Sequence, residues 1–276
     1  MSVTPIFAPP SIEEIETRRD RVRAEMVRQG LDYYVSVNPD NVYYLTNFAN
    51  FVHERPFILV MGQSENPIFV VPKLEVPHVQ SRIVGPLEIA PYREFPAPPG
   101  ERWIDSFSPL LDGEARVGVE SVCPLQVYEA ILGTCVRSDV VDDVRMVKTD
   151  YEKGRIAYSS ELVSDAHAEL IQLAKPGTSA AEVSRIVSGG IGARLLADMP
   201  NTNMLATAIH AFVQPPSVSH DPHNFTDNFM KMEDAGPHVS VINCRLNGYG
   251  AEIERTFFLG SVPDAARKPF EVMMEA

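Results

Sequence analysis

Cysteine is scarce in this chain of 276 residues: only Cys123, Cys135 and Cys244 are present, with no CxxC spacing. An odd, scattered trio argues against a disulfide framework and against a thiolate zinc site. Long apolar runs are also lacking, and none approaches the roughly 18 residues that a membrane-spanning helix needs. The start, "MSVTPIFAPPSIEE", has no basic region followed by an apolar one, so it does not read as a secretory signal. Basic residues are outnumbered, 24 Lys and Arg against 37 Asp and Glu, giving a net charge of −13. That balance argues against a general nucleic-acid binder, which needs a basic face. Several motifs are missing as well: no GxGxxG follows a strand, and there is no GxxxxGK[ST], HExxH or GxSxG. What is present, 45% hydrophobic and 22% charged residues, is the composition of a soluble globular chain with a core of good size. The setting that fits is cytoplasmic.

The pattern along the chain changes character near Met146. In the first part, Ser11 with Glu14 three residues on signals a helix start, apolar residues recur at Ile12, Ile15, Val22 and Met26, and Gly30 closes the helix. "LDYYVSV" is β-rich, and "PDNVYYLTNF" reads as a turn with a short strand or helical turn. "PFILVM" and "PIFVVP" flank a polar turn as a hairpin. Helices near 74–82, 101–111 and 124–133 alternate with β-stretches at 86–91, "ARVGVE" and "SDVVDD". Alternation of this kind implies an α/β layer domain. A long helical run follows from Asp150 to Lys175, stopped by Pro176-Gly177; Ser179 with Glu182 then opens a second helix to about Leu196. β-stretches at 203–213, 237–246 and 249–259 and a helix from Pro263 complete the chain, an α+β order. The domains expected are 1–146 and 147–276.

Three places carry candidate chemistry. Asn247-Gly248 is a strong hairpin turn between two β-stretches. Side chains alternate along a strand, so Glu252 and Glu254 share one face and Ile253 and Arg255 the other, while Val241 and Asn243 share a face of the preceding strand. Two acids on one buried face would raise a carboxyl pKa unless a cation, metal or substrate offset them; a solvated edge hairpin accommodates the same pattern. The loop "SHDPHNF" holds His220 and His223, suited to proton transfer, metal ligation or plain backbone hydrogen bonding. In "HERPF", Arg55 precedes an apolar strand, where a guanidinium can grip a carboxylate or simply face solvent.

Taken in order, these places resemble the family of creatinase, aminopeptidase P and prolidase. "NPDNVYYLTNF" resembles the family's N-x-x-Y-L-T-x-F segment, and "VDDVRMVKTDYEKGRIAYSSELVSDAHAEL" its domain junction R-x-x-K-x-x-x-E with the helix after it. "KPGTSAAEV" resembles x-P-G-x-T-E-x-E-V, and "NGYGAEIERTFFLG" resembles G-Y-x-x-D-x-x-R-T-x-x-x-G. The resemblance implies an α/β N-terminal domain followed by an α+β pita-bread catalytic domain. It also implies a homodimeric hydrolase that cleaves a C–N bond in a small, carboxylate-bearing substrate such as an Xaa-Pro dipeptide.

In metal-dependent members two aspartates on paired strands, then a histidine and two glutamates, hold two divalent ions such as Mn²⁺ or Zn²⁺. The second aspartate matches Glu252. The first matches Val241 or, if the hairpin is two residues shorter, Asn243, and neither carries a carboxylate. Creatinase works without metal and is similar at Asn243-Cys244 and at "IERT". On that likeness Glu254 is a carboxylate for a cationic group, His223 the proton shuttle, Asn243 a polar neighbour and Arg55 the group for the substrate carboxylate, reaching in from the neighbouring subunit. A metal-free amidinohydrolase and a non-catalytic family member that binds a ligand or partner are the alternatives. The family pattern continues through a histidine-containing strand and two further glutamates, whereas this chain stops at "PFEVMMEA". The expectation is a C-terminally truncated chain, inactive alone, with uncovered strand edges and poor solubility or dependence on a partner.

Overall fold

A computed structural model describes residues 3–50, 54–224 and 229–276. His53 and Phe225, at the ends of two of the motifs quoted above, lie outside the described residues. The chain divides into two compact units, Pro9–Tyr151 and Met1–Ala8 together with Glu152–Ala276.

The first unit begins with α1 (Ile12–Gln29). Ser11 caps it, its Oγ accepting from the Glu14 backbone N–H at 3.1 Å, and Gly30 ends it in the left-handed region at φ 65°. The Glu14 carboxylate accepts from Arg18 Nε at 2.8 Å and from Thr149 Oγ1 at 2.7 Å. Ile15, Val22 and Met26 point into the core, and so do Arg18 and Arg19, both almost fully buried. A buried guanidinium needs acceptors. Arg18 Nη1 donates to the Tyr44 carbonyl at 3.1 Å, and Arg19 Nε to the Leu45 carbonyl at 2.9 Å. Those carbonyls belong to the last turn of α2 (Pro39–Thr46), which carries no basic residue of its own. The two arginines thus satisfy the acceptors that a helix C-terminus leaves open.

Six strands form one mixed sheet in the order β4-β3-β2-β1-β5-β6. They are β1 (Tyr33–Ser36), β2 (Ile58–Gly62), β3 (Ile68–Pro72), β4 (Glu88–Tyr92), β5 (Arg116–Val119) and β6 (Thr134–Arg137). β2 pairs antiparallel with β1 and β3, and the remaining pairs are parallel. Every residue of β2 is buried, the continuous apolar run of a strand covered on both faces. One cover is built from α1 and α2 with α3 (Val76–Arg82) and α6 (Val140–Arg145). The other contains α4 (Trp103–Phe107) and α5 (Leu125–Tyr128).

Two local expectations fail here. "SDVVDD" is not a strand: β6 ends at Arg137, and Val140–Arg145 is α6. Asp142 and Asp143 in the first turn favour a helix N-terminus, and Val140 and Val141 are buried by it. The helix expected near 124–133 is one turn, Leu125–Tyr128.

The second unit pairs two helices with an antiparallel sheet. Tyr158, Leu162, Ala166 and Leu170 of α7 (Asp150–Leu173) pack with Val183, Val187, Ile191 and Leu195 of α8 (Ala180–Asp198). The β-strands are β7 (Ala208–Gln214), β8 (Ala235–Leu246) and β9 (Tyr249–Leu259), in the order β7-β8-β9, followed by α9 (Asp264–Glu275). Ala211, Val213, Ile242, Cys244 and Leu246 turn their face of the sheet onto the helices. Ser179 departs from expectation, because its side chain makes no cap hydrogen bond; its carbonyl accepts from Val183 N at 3.1 Å and its backbone bridges to Lys231. Gly154, in α7, lets the N-terminal segment lie close. A Cβ there would sit 2.6 Å from Ile6 Cγ1 and 3.0 Å from the Thr4 carbonyl oxygen.

Candidate functional site

The β8–β9 hairpin turns at Asn247 (φ 50°) and Gly248 (φ 83°), with Leu246 paired to Tyr249. This is the two-residue turn that Asn-Gly favours, since both residues tolerate positive φ. The register follows from it. Asn243 faces Glu252 and Val241 faces Glu254, and on the other side of β8 Asn243 faces His210 and Val241 faces Phe212. Directly opposed residues in an antiparallel sheet share a face. Two rows therefore cross all three strands: His210, Asn243, Glu252 and, beside it, Phe212, Val241, Glu254.

Burial separates the two faces of this sheet. Along β8, His238, Ser240, Ile242, Cys244 and Leu246 are buried, and Val239, Val241, Asn243 and Arg245 alternate with them as half-buried residues. Glu252 and Glu254 are exposed. The condition of two acids on a buried face is thus not met, because water reaches both carboxylates. Asn243 Nδ2 donates a short hydrogen bond to Glu252 Oε2. Arg255 points to the opposite face, and its Nη1 donates to the Glu254 backbone carbonyl at 2.7 Å rather than to the carboxylate.

His223 lies on the loop after β7 and is exposed, with its backbone in the left-handed region at φ 68°. Few non-glycine residues adopt that conformation without support. The support comes from Gln214, the last residue of β7, only 2% exposed. Its Nε2 donates to the Asp221 carbonyl at 2.9 Å and to the Asn224 carbonyl at 3.2 Å. The Asn224 side chain closes the turn onto Asp221 Oδ2 at 3.0 Å. One buried amide therefore clamps the loop on both sides of His223. Gln214 belongs to no sequence motif; its signal is a polar residue ending the apolar run "AIHAFVQ" just before Pro215-Pro216.

Arg55 belongs to the first unit, half-exposed before β2, with its Nε 3.6 Å from Glu54 Oε1. His167 meets β8 from α7: its Nδ1 lies 3.1 Å from Ser240 Oγ, and burial, then the nearby Arg255 charge, push its pKa down. Burial also lowers His238, whose ring stacks on Phe257 at 5.2 Å, and pushes the Cys244 thiol up to about 12. A thiol so placed is an apolar core group rather than a nucleophile.

A divalent ion needs several converging oxygen or nitrogen donors. Among the described residues no group of three or more His, Cys, Asp or Glu side chains converges to hold one. Glu252 is already engaged by the Asn243 amide, and Val241 offers no donor at the neighbouring position. The described donors do not by themselves make a metal site. Among the described residues, likewise, no helix is long and apolar enough to cross a membrane.

Comparison with known proteins puts this geometry in context. Residues 18–147 match the family described as the creatinase/prolidase N-terminal domain. No curated protein sequence matches the chain. Among solved structures, a prolidase from Thermococcus sibiricus superposes with a TM-score of 0.75 at 16% identity, over 97% of this chain and 71% of that one. An Xaa-Pro dipeptidase from Bacillus anthracis superposes with a TM-score of 0.72 at 17% identity, over 95% and 70%. Aminopeptidase P from E. coli superposes with a TM-score of 0.66 at 16% identity, over 97% and 67%. Residues 18–147 are thus similar to the creatinase/prolidase N-terminal domain, and the chain as a whole has a fold similar to that of prolidases and aminopeptidase P.

Proposed function

We propose that the protein is a hydrolase of the Xaa-Pro peptidase and creatinase type, cleaving a C–N bond in a small substrate that carries a carboxylate. The observation that carries this reading is the hairpin register, which sets Asn243, Glu252 and Glu254 on one open sheet face within a prolidase-like fold. In the reaction, water adds its oxygen to the electrophilic carbon, the C–N bond breaks and the leaving nitrogen gains a proton. His223 moves that proton, since an imidazole ring carries one nitrogen that accepts and one that donates. Glu254 holds a cationic group of the substrate, Asn243 orients Glu252, and Arg55, reaching in from the neighbouring subunit, takes the substrate carboxylate through a bidentate contact. The working form is a cytoplasmic homodimer whose partners are small molecules or dipeptides, not nucleic acid or membrane.

A metal-free, amidinohydrolase-like course is the second reading. It is favoured by one observation: the position where a first carboxylate ligand is expected holds Val241 or Asn243, and Asn243 is hydrogen-bonded to Glu252. Xaa-Pro dipeptides and creatine, each assayed with and without chelator, separate the two. Chelator-sensitive dipeptide cleavage with bound Mn²⁺ or Zn²⁺ supports the peptidase reading. Chelator-insensitive cleavage of creatine supports the other. Turnover of neither, with ligand binding intact, leaves a binding protein.

A further inference from the structure

The six-stranded sheet of the first unit has two edges, β4 and β6, and they are finished differently. In a parallel ladder every second residue turns its N–H and C=O toward the neighbouring strand, and the residue between turns them away. On β4 the Glu88 N–H donates to the Pro67 carbonyl at 2.9 Å, so Ile89 and Pro91 face outward. Proline has no N–H to offer there, and Ser106 Oγ donates to its carbonyl at 3.3 Å. That edge is closed. On β6 the Thr134 N–H donates to the Ala115 carbonyl at 2.8 Å and the Ser138 N–H to the Val119 carbonyl at 2.9 Å, so Cys135 and Arg137 turn their backbone groups outward. No described residue hydrogen-bonds to them, and β6 carries no proline, lysine or bulge of the kind that blunts an edge. Beside it the cover around α5 is apolar, with Val122, Leu125, Tyr128 and Leu132 between 47% and 69% exposed.

We propose that β6 is the interface for a second copy of this chain, pairing antiparallel with its own counterpart about a twofold axis at Val136. In that register Cys135 and Arg137 of the second copy exchange both N–H···O=C bonds, and Arg137 and Cys135 of the second copy exchange two more. Every outward group of both edges is then satisfied. A twofold perpendicular to the sheet keeps each cover on its own side, so the two α5 patches meet as one isologous surface. The four apolar side chains present about 400 Å² per copy, about half of the 800 Å² that a stable interface takes from each partner, and β6 with its flanks supplies area for the rest. Arg137, the one charge on the strand, is met by Asp139 Oδ2 at 3.5 Å, so two copies approach without an unpaired charge between them. A foreign strand would use the hydrogen bonds alone, whereas a second copy brings the matching register and the matching apolar cover together. The inference rests on the homodimer proposed above for its second copy, not on the catalytic assignment.

Sedimentation velocity and cross-linking of the full-length gene product test it. Wild type is expected to sediment as a dimer. Leu125→Glu combined with Tyr128→Glu changes two exposed side chains and is expected to weaken the dimer about 100-fold or more. Cys135→Pro removes an outward N–H, leaves the ladder to β5 intact and is expected to weaken it as well. Circular dichroism confirms that each variant is folded. Val136→Cys sets two Cα atoms about 4.5 Å apart across the axis, within disulfide reach. Oxidised glutathione should therefore link that variant into a covalent dimer and leave wild type unlinked, since Cys135 stands opposite arginine. A monomeric wild type, a dimer unchanged by the α5 and Cys135 substitutions, failure of Val136→Cys to link, or linkage of wild type through Cys135 would overturn the proposal. A dimer indifferent to β6 would leave the homodimer reading standing and remove this one. A β6-dependent dimer without any hydrolysis would remove the enzyme reading alone.

Discussion

The two units use glutamate in opposite ways. In the first, Glu120 stands just past β5, only 3% exposed, in a cradle of four donors. Ser36 Oγ, the Val37 and Asn38 backbone N–H groups and Asn41 Nδ2 reach its carboxylate at 2.7, 2.8, 2.7 and 2.9 Å. Burial pushes its pKa up, and the hydrogen bonds pull it back. In the second unit, Glu252 and Glu254 stand in water on an open sheet face. The difference follows from the sheets. A sheet covered on both faces admits a charge only where every lone pair is answered, so its glutamate is structural. A sheet covered on one face leaves its carboxylates within reach of a ligand from solvent. Position on the sheet, not residue type, separates the scaffold from the candidate site.

The sharpest way to break this contrast is to delete both kinds of acid. Glu120→Ala strands four donors, two of them backbone N–H groups, and is expected to cost the first unit about 4 kcal/mol. Trp103, the only tryptophan and part of this unit, reports its denaturant unfolding by fluorescence. Glu252→Ala should leave the unfolding of the second unit, followed by circular dichroism, unchanged. Equal losses would mean that the open face is structural as well.

A smaller effect separates the two faces of β8. Ile242→Ala empties a fully buried position and is expected to cost about 3 kcal/mol in the same denaturation experiment, whereas Val241→Ala, one residue away on the open face, should cost far less. Smaller again is Asn247→Ala, which puts a residue less tolerant of the left-handed region at φ 50° and removes the Oδ1 that accepts from the Asn203 backbone N–H at 2.7 Å. About 1 kcal/mol is expected there, read from the midpoint shift.

The least effect is in pH. His167 and His238 have pKa values lowered by burial in the folded protein. The unfolded chain therefore takes up protons first, near pH 6.5. Their contribution to stability is complete above that pH and is lost as pH falls through it toward the lower folded values. Thermal melts between pH 8 and pH 5 should show the second unit losing stability, and His167→Gln should flatten the dependence.

Legibility in the sequence divides along the same line. The hairpin was readable because Asn247-Gly248 fixes a two-residue turn, and strict alternation then fixes which residues share a face. The long helix from Asp150 was readable from its apolar stripe. Glu120 was not, because its donors come from residues 36–41 and only the parallel pairing of β1 with β5 brings them near. "SDVVDD" misled because two adjacent valines suit a strand as well as a helix face, and the aspartates decide the matter locally. The Gln214 clamp on the His223 loop was hidden for the reason Glu120 was: a single buried amide acts on carbonyls that become its neighbours only after folding.

One measurement tests the central claim, that the open face of the second unit with the His223 loop is where chemistry occurs. It is the kcat/KM of the full-length gene product for an Xaa-Pro dipeptide or creatine, compared among wild type, His223→Ala and Glu254→Gln. Losses of about 100-fold or more are expected in both variants, with circular dichroism and melting unchanged. Turnover that survives both substitutions at the wild-type rate would contradict it.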